Sequence, residues 1–114
     1  ALREIYLKGF EICVKESSPR TIMTSYNLIN GVWGHYNYDL CTTILRGEWG
    51  FNGIVTTDWW TYAQQYKEIK AQNDIKMGCG YPEHVLEAVK ADVLTREEMD
   101  ICAKRILELI LKID

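Results

Sequence analysis

GIVTTDWW, residues 53–60, decides the fold. Ile54 to Thr57 are apolar or β-branched, which reads as a buried strand. The run ends in Asp58, and two tryptophans follow it. A carboxylate at that point has two readings. Either it closes the strand as a turn or helix-cap residue, or it is a short, rigidly placed carboxylate on a strand end with an aromatic platform beside it. Topology alone leaves both open.

On the N-terminal side, LREIYLKGFEICVKE (2–16) repeats apolar residues at helical spacing, at Leu2, Ile5, Tyr6, Phe10, Cys13 and Val14. SSPR breaks that helix, and TIMTSYN (21–27) reads as a second buried strand. A loop, LINGVWGHYNY, carries Asn30-Gly31 as turn punctuation. Asp39 is the expected N-cap of a helix over 40–48, and WGFNG connects it tightly to IVTTD. On the C-terminal side, TYAQQYKEIKAQ (61–72) is helix-compatible and DIKMG (74–78) is a third short strand. Pro82 starts a further helix over 83–92, and Thr95 with Glu98 forms a capping box for a final helix to about Lys112.

Strands alternating with helices predict an α/β fold of β-α units with a parallel sheet. Three strands fit either a small open layer or a fragment of a (β/α)8 barrel. Both ends of the chain fall inside helix patterns, so residues 1–114 read as a single piece of a longer chain.

Composition narrows the classes. Apolar residues make up 47% and charged residues 25%, as in a globular domain. Net charge is -3 with the two signs interspersed, which leaves no footprint for nucleic acid. No apolar run approaches the ~20 residues of a membrane span, and ALREIYLKGFE carries charges where a signal peptide would be apolar. The four cysteines, at 13, 41, 79 and 102, form no CxxC pair and have no histidine at zinc spacing, so no metal is expected. Read as reduced thiols, they point toward a cytoplasmic compartment.

In a parallel α/β architecture ligands bind at the C-terminal strand ends. One strand ends in Ser25, Tyr26 and Asn27, the other in Asp58 and Trp59. The following loops carry Asn30, Trp33, His35, Tyr36, Trp60 and Tyr62. Aromatic rings with amides and carboxylates suit sugars, whose ring faces stack and whose hydroxyls pair.

MTSYNLING (23–31), LRGEWGFNG (45–53) and TDWW (57–60), in this order, resemble the family 3 glycoside hydrolases, the β-glucosidase group. NDIKMG (73–78) and RILELILK (105–112) continue the likeness more loosely. The resemblance implies the C-terminal portion of a (β/α)8-type barrel domain. It implies that Asp58 is the catalytic nucleophile of a retaining exo-β-glycosidase, that Trp59 lines the sugar subsite, and that Tyr26 lies beside the nucleophile with Met23 near. A terminal β-glycoside is the implied substrate, of glucose rather than xylose or N-acetylglucosamine type, and no cofactor is implied.

Departures accompany the likeness. Thr57 stands where the family has Ser, and Lys76-Met77-Gly78 where it has Glu-Met-Pro. The family's upstream Lys-His pair and Arg, and its acid/base Glu from a following domain, are not in this sequence, so no acid/base is assigned. The expected partners are therefore the other half of the barrel and that domain. A second reading is a non-catalytic piece that pairs with itself through open sheet edges and apolar helix faces.

Other residues carry structural expectations. Arg46 and Glu48 are expected to pair with each other. A retaining carboxylate pair stands ~5 Å apart, which argues against Glu48 at a helix end. His35 is expected to be a solvated loop residue and His84 to be exposed. Asp74 is either an Asx-turn residue or a site residue. Trp49 and Phe51 are expected to pack the helix–strand junction. The apolar stripe 106–113 is expected to be core or domain-contact surface.

Overall fold

The computed structural model describes all 114 residues. GIVTTDWW forms β4, Ile54–Trp59, the middle strand of a three-stranded sheet. β1 (Thr21–Met23) lies on one side and β5 (Ile75–Met77) on the other, both parallel to β4. Thr21 pairs with Ile54 and Met23 with Thr56, while Ile75 pairs with Thr56. The fold is thus α/β with a parallel sheet, as expected.

Side chains alternate across β4. Val55 and Thr57 are fully buried toward the helices. Val55 packs with Val14 of α1 (Lys8–Ser17), with Leu45 and with Phe51; Ile22 and Trp49 lean on the same cluster. The packing role read for Trp49 and Phe51 is what the fold gives them. Gly53 explains part of the LRGEWGFNG stretch. A Cβ there would stand 2.1 Å from the Arg20 carbonyl oxygen, so only glycine lets the chain enter β4 alongside the start of β1.

Several element boundaries differ from the expectation, beginning with the helix over 2–16, which is split into Leu2–Tyr6 and Lys8–Ser17. β1 stops at Met23, because Tyr26 and Asn27 belong to the loop that leads into a two-residue hairpin, β2 (Leu28–Ile29) against β3 (Val32–Trp33). Asn30 and Gly31 turn it, both with positive φ, the geometry that tight hairpins demand. The helix at Asp39–Glu48 is wound in the wider π form, and Asp39 does not cap it: the Asn37 Oδ1 accepts from the Leu40 N–H at 3.0 Å instead. α2 covers only Gln65–Lys70, since Thr61 is held elsewhere.

α3 (Pro82–Lys90) begins at its proline, and α4 (Arg96–Ile113) carries the predicted capping box, with Thr95 and Glu98 bonding reciprocally at 2.9 and 3.2 Å. No helix is long and apolar enough to cross a membrane. All four cysteines are free.

Candidate active site

Asp58 sits near the C-terminal end of β4, where the strand stops pairing regularly. The β4–β5 register shifts between Thr56 and Trp59. Thr57 covers the irregularity: its hydroxyl oxygen accepts the Met77 N–H at 2.9 Å and its hydroxyl donates to the Asp58 carbonyl at 2.8 Å. A hydroxyl residue before the aspartate thus does what a ladder bond would otherwise do. This is a reason for Ser or Thr at that position that the sequence reading lacked.

The cap reading of Asp58 does not hold. The next helix starts at Gln65 behind Gln64. The Asp58 Oδ1 instead accepts the Trp59 N–H at 2.7 Å, which fixes the carboxylate against its own backbone. By strand alternation Asp58 shares a face with Thr56, and Thr56 faces Met23 across the β1 pairing. Tyr26 lies in the loop after β1, near enough for the Asp58 charge to act on its phenol. Desolvation raises the Tyr26 pKa, and the nearby Asp58 charge raises it further. Trp59 is half-exposed beside Asp58, and Met23 is exposed on the wall of an apolar groove of about 590 Å³ that also takes in Phe10, Ile22 and Leu45.

Trp60 holds a left-handed backbone, φ +54°, which a bulky residue adopts only where its surroundings impose it. Its ring crosses Trp59 edge-on at 5.9 Å. It also lies over Gly78, where a Cβ would come within 2.6 Å of the indole. The Gly78 that departs from Glu-Met-Pro is the space Trp60 occupies.

Several expectations about the surrounding residues are corrected. Arg46 and Glu48 do not pair with each other. Glu48 takes a two-point contact from Arg3 at 2.9 and 2.7 Å on the surface. Arg46 bonds the Asp74 carboxylate at 2.7 Å and the Gly53 carbonyl at 2.8 Å. Asp74 is neither an Asx-turn nor a site residue: it also receives Arg105 and the Val55 N–H, at the N-terminal end of β4 and away from Asp58. Helix geometry explains the swap, since residues two apart on a helix face different ways. His84 is exposed, as expected, and stacks on Tyr81. His35 is buried at 2% exposure rather than solvated, its ring stacked on Trp33 and edge-on to Tyr36. Burial pushes its pKa down, the Lys76 charge adds to that, and the Ser25 backbone opposes it.

Behind the strand ends lies a polar cluster that sequence reading missed. Glu68 of α2, 1% exposed, takes the Lys76 ammonium on both carboxylate oxygens at 3.1 Å. Thr61 donates to Glu68 and accepts from Lys76 at 2.7 Å. Burial raises the Glu68 pKa, and Thr61 and Lys76 counter it. Asn73 donates to Thr24 and to the His35 carbonyl, each at 3.0 Å. Only the Lys at 76, in the middle of a strand pattern, hinted at a buried charge.

A family profile described as the glycosyl hydrolase family 3 N terminal domain matches residues 1–109. β-Glucosidase A of Butyrivibrio fibrisolvens is 53% identical over 100 residues, 88% of this chain and 12% of that protein. An exo-alpha-(1->6)-L-arabinopyranosidase of Bifidobacterium longum is 40% identical over 113 residues, 98% of this chain and 15% of that protein. The structure of β-glucosidase 3B from Thermotoga neapolitana in complex with glucose superposes with a TM-score of 0.91 at 38% identity, over 96% of this chain and 17% of that one. The chain thus spans about one-seventh of the length of these relatives.

Proposed function

The chain belongs to glycosyl hydrolase family 3, and on that premise we propose that the protein carrying it is a retaining exo-β-glycosidase, most simply a β-glucosidase, with Asp58 as its nucleophile. The observation that carries this reading is the carboxylate at the C-terminal end of β4, held by the N–H of the residue that follows it. A nucleophile must be aimed before substrate arrives, and the Trp59 N–H fixes one oxygen while leaving the other free. Asp58 attacks the anomeric carbon as the leaving oxygen departs, through an oxocarbenium-like transition state; water then cleaves the glycosyl ester and regenerates the carboxylate. Trp59 and Met23 line the sugar subsite, and the Tyr26 hydroxyl orients the carboxylate. The general acid comes from outside these 114 residues, as do the remaining sugar contacts.

A 2-deoxy-2-fluoro-β-glucoside with a good leaving group tests the reading on the full-length protein. Mass added to the peptide containing Asp58 is the expected result, together with a fall in kcat on the order of 10⁴-fold or more for Asp58→Ala. A label on another peptide, or a product of inverted configuration, overturns it. Because one relative's name carries a different sugar, an aryl α-L-arabinopyranoside belongs beside the aryl β-glucoside in the same assay.

A further inference from the structure

We propose that Thr61, Glu68 and Lys76 are positioning residues for Asp58: a buried carboxylate hub that holds the loop after β4 in its working shape. The inference rests on the function proposed above, but its structural half stands on contacts within this chain.

The hub joins segments that the sequence keeps apart. Thr61 lies three residues after Asp58, Lys76 is on β5 and Glu68 is on α2. The His35 Nε2 stands 4.0 Å from the Glu68 Oε1, which brings in the segment after the β2–β3 hairpin. The Lys76 ammonium uses its donors on Glu68 twice, on the Thr61 hydroxyl, and on the Thr61 carbonyl at 3.2 Å. That last bond grips the loop backbone itself.

Between Asp58 and Thr61 the loop has a second anchor. The Trp60 N–H reaches the Met77 carbonyl at 3.4 Å and its indole fills the space over Gly78. Trp60 and Thr61 are thus tied to consecutive β5 residues, Met77 and Lys76, and these ties hold the left-handed backbone of Trp60 in place.

Energetics argue that stability is not what this arrangement serves. Lys76 and Glu68 have side chains 3% and 2% exposed. Taking two charges out of water costs about as much as their attraction returns, and apolar replacements of similar volume are often neutral or stabilising. What the ion pair adds over an apolar pair is direction. Both oxygens of Glu68 and the donors of Lys76 are committed, so only one loop geometry satisfies them. A displacement of ~1 Å at the reacting group costs on the order of 10²-fold in rate, so this geometry matters for Asp58.

The test compares Thr61→Val, which keeps the shape and removes the hydroxyl, with Thr61→Ser, which keeps the hydroxyl. Lys76→Met, made together with Glu68→Leu so that no charge is left buried alone, is the second probe should the valine variant not fold. Each is made in the full-length protein and read three ways: thermal midpoint, kcat and KM on an aryl β-glucoside, and hydrogen–deuterium exchange of the peptide spanning residues 57–64. Thr61→Val and the Lys76→Met, Glu68→Leu double variant are expected to exchange about 10-fold faster in that peptide alone, and to lose about 10- to 100-fold in kcat with little change in KM. Thr61→Ser is expected to match the parent in all three. Unchanged exchange over 57–64, or a lower midpoint with kcat intact, overturns the proposal. If the parent itself hydrolyses no glycoside, the function proposed above fails, and the exchange data still decide whether the hub holds the loop.

Discussion

Thr57 turns its side chain away from the face that carries Asp58, yet it controls the residue that follows. Its hydroxyl is fully buried and serves two backbone groups, the Met77 N–H and the Asp58 carbonyl. Thr57→Val keeps the volume and leaves the Met77 N–H without a partner. A buried donor left unpaired costs about 1–3 kcal/mol, so thermal or urea unfolding is expected to show a loss of that size, with Thr57→Ser close to the parent. The Thr-for-Ser departure at this position is therefore conservative in chemistry. At the same scale Asp74 shows how a residue is misread. Beside a strand start it reads as a turn former, but in the fold it is the shared acceptor of Arg46, Arg105 and the Val55 N–H. Its partners lie 28 and 31 residues away, and no local pattern announces them.

Elements formed where local signals and packing agreed. α4 starts where its capping box places it, because both orphan donors are satisfied within four residues. Thr95→Ala removes the side-chain acceptor for the Glu98 N–H. The expected loss is about 1 kcal/mol, read as a lower urea midpoint, with Thr95→Ser or Thr95→Asp retaining the cap. β4 and β5 also fall where β-branched and apolar runs put them. β1 and α2 came out shorter than their patterns, each for a tertiary reason. Past Met23 the chain leaves β4 and carries Tyr26 near Asp58. Before Gln65 it is held by Lys76, so Thr61 cannot join the helix that its neighbours would propagate.

At the scale of the whole molecule, the buried titratable groups set the response to acid. His35 has a pKa lowered by burial from its ordinary 6.5. Below that value the unfolded chain takes up a proton that the folded chain resists, so this contribution is present above pH 6.5 and is lost as pH falls through the depressed folded value. Glu68 acts with the opposite sign: its raised pKa means the folded chain holds a proton more readily, so its contribution is largest below 4.5 and declines as pH rises through the folded value. The urea midpoint of the chain is expected to fall from pH 7 toward pH 5.5, and His35→Gln to flatten that fall; an equal slope in both would remove His35 as its source. Burial also covers 20 of the 114 residues only, and Phe10, Leu107, Leu111 and Ile113 remain more than half exposed. The apolar stripe of α4 is thus mostly surface here, which removes the core reading.

The sequence by itself determined the alternation of strands and helices, a parallel sheet with a strand over 54–58, the capping box, and Asp58 as the residue to watch. These are legible because they rest on short-range periodicity, on capping and turn chemistry, and on motif likeness. Tertiary structure alone decided which charges pair, that His35 is buried, that Thr57 bridges the register shift, and that Glu68 and Lys76 meet beneath the loop after Asp58. Those outcomes depend on groups 8 to 45 residues apart being brought together by the crossing of strands and helices. A buried charge takes its partner from whatever the fold places within reach, and in this protein that partner was seldom the neighbour along the chain.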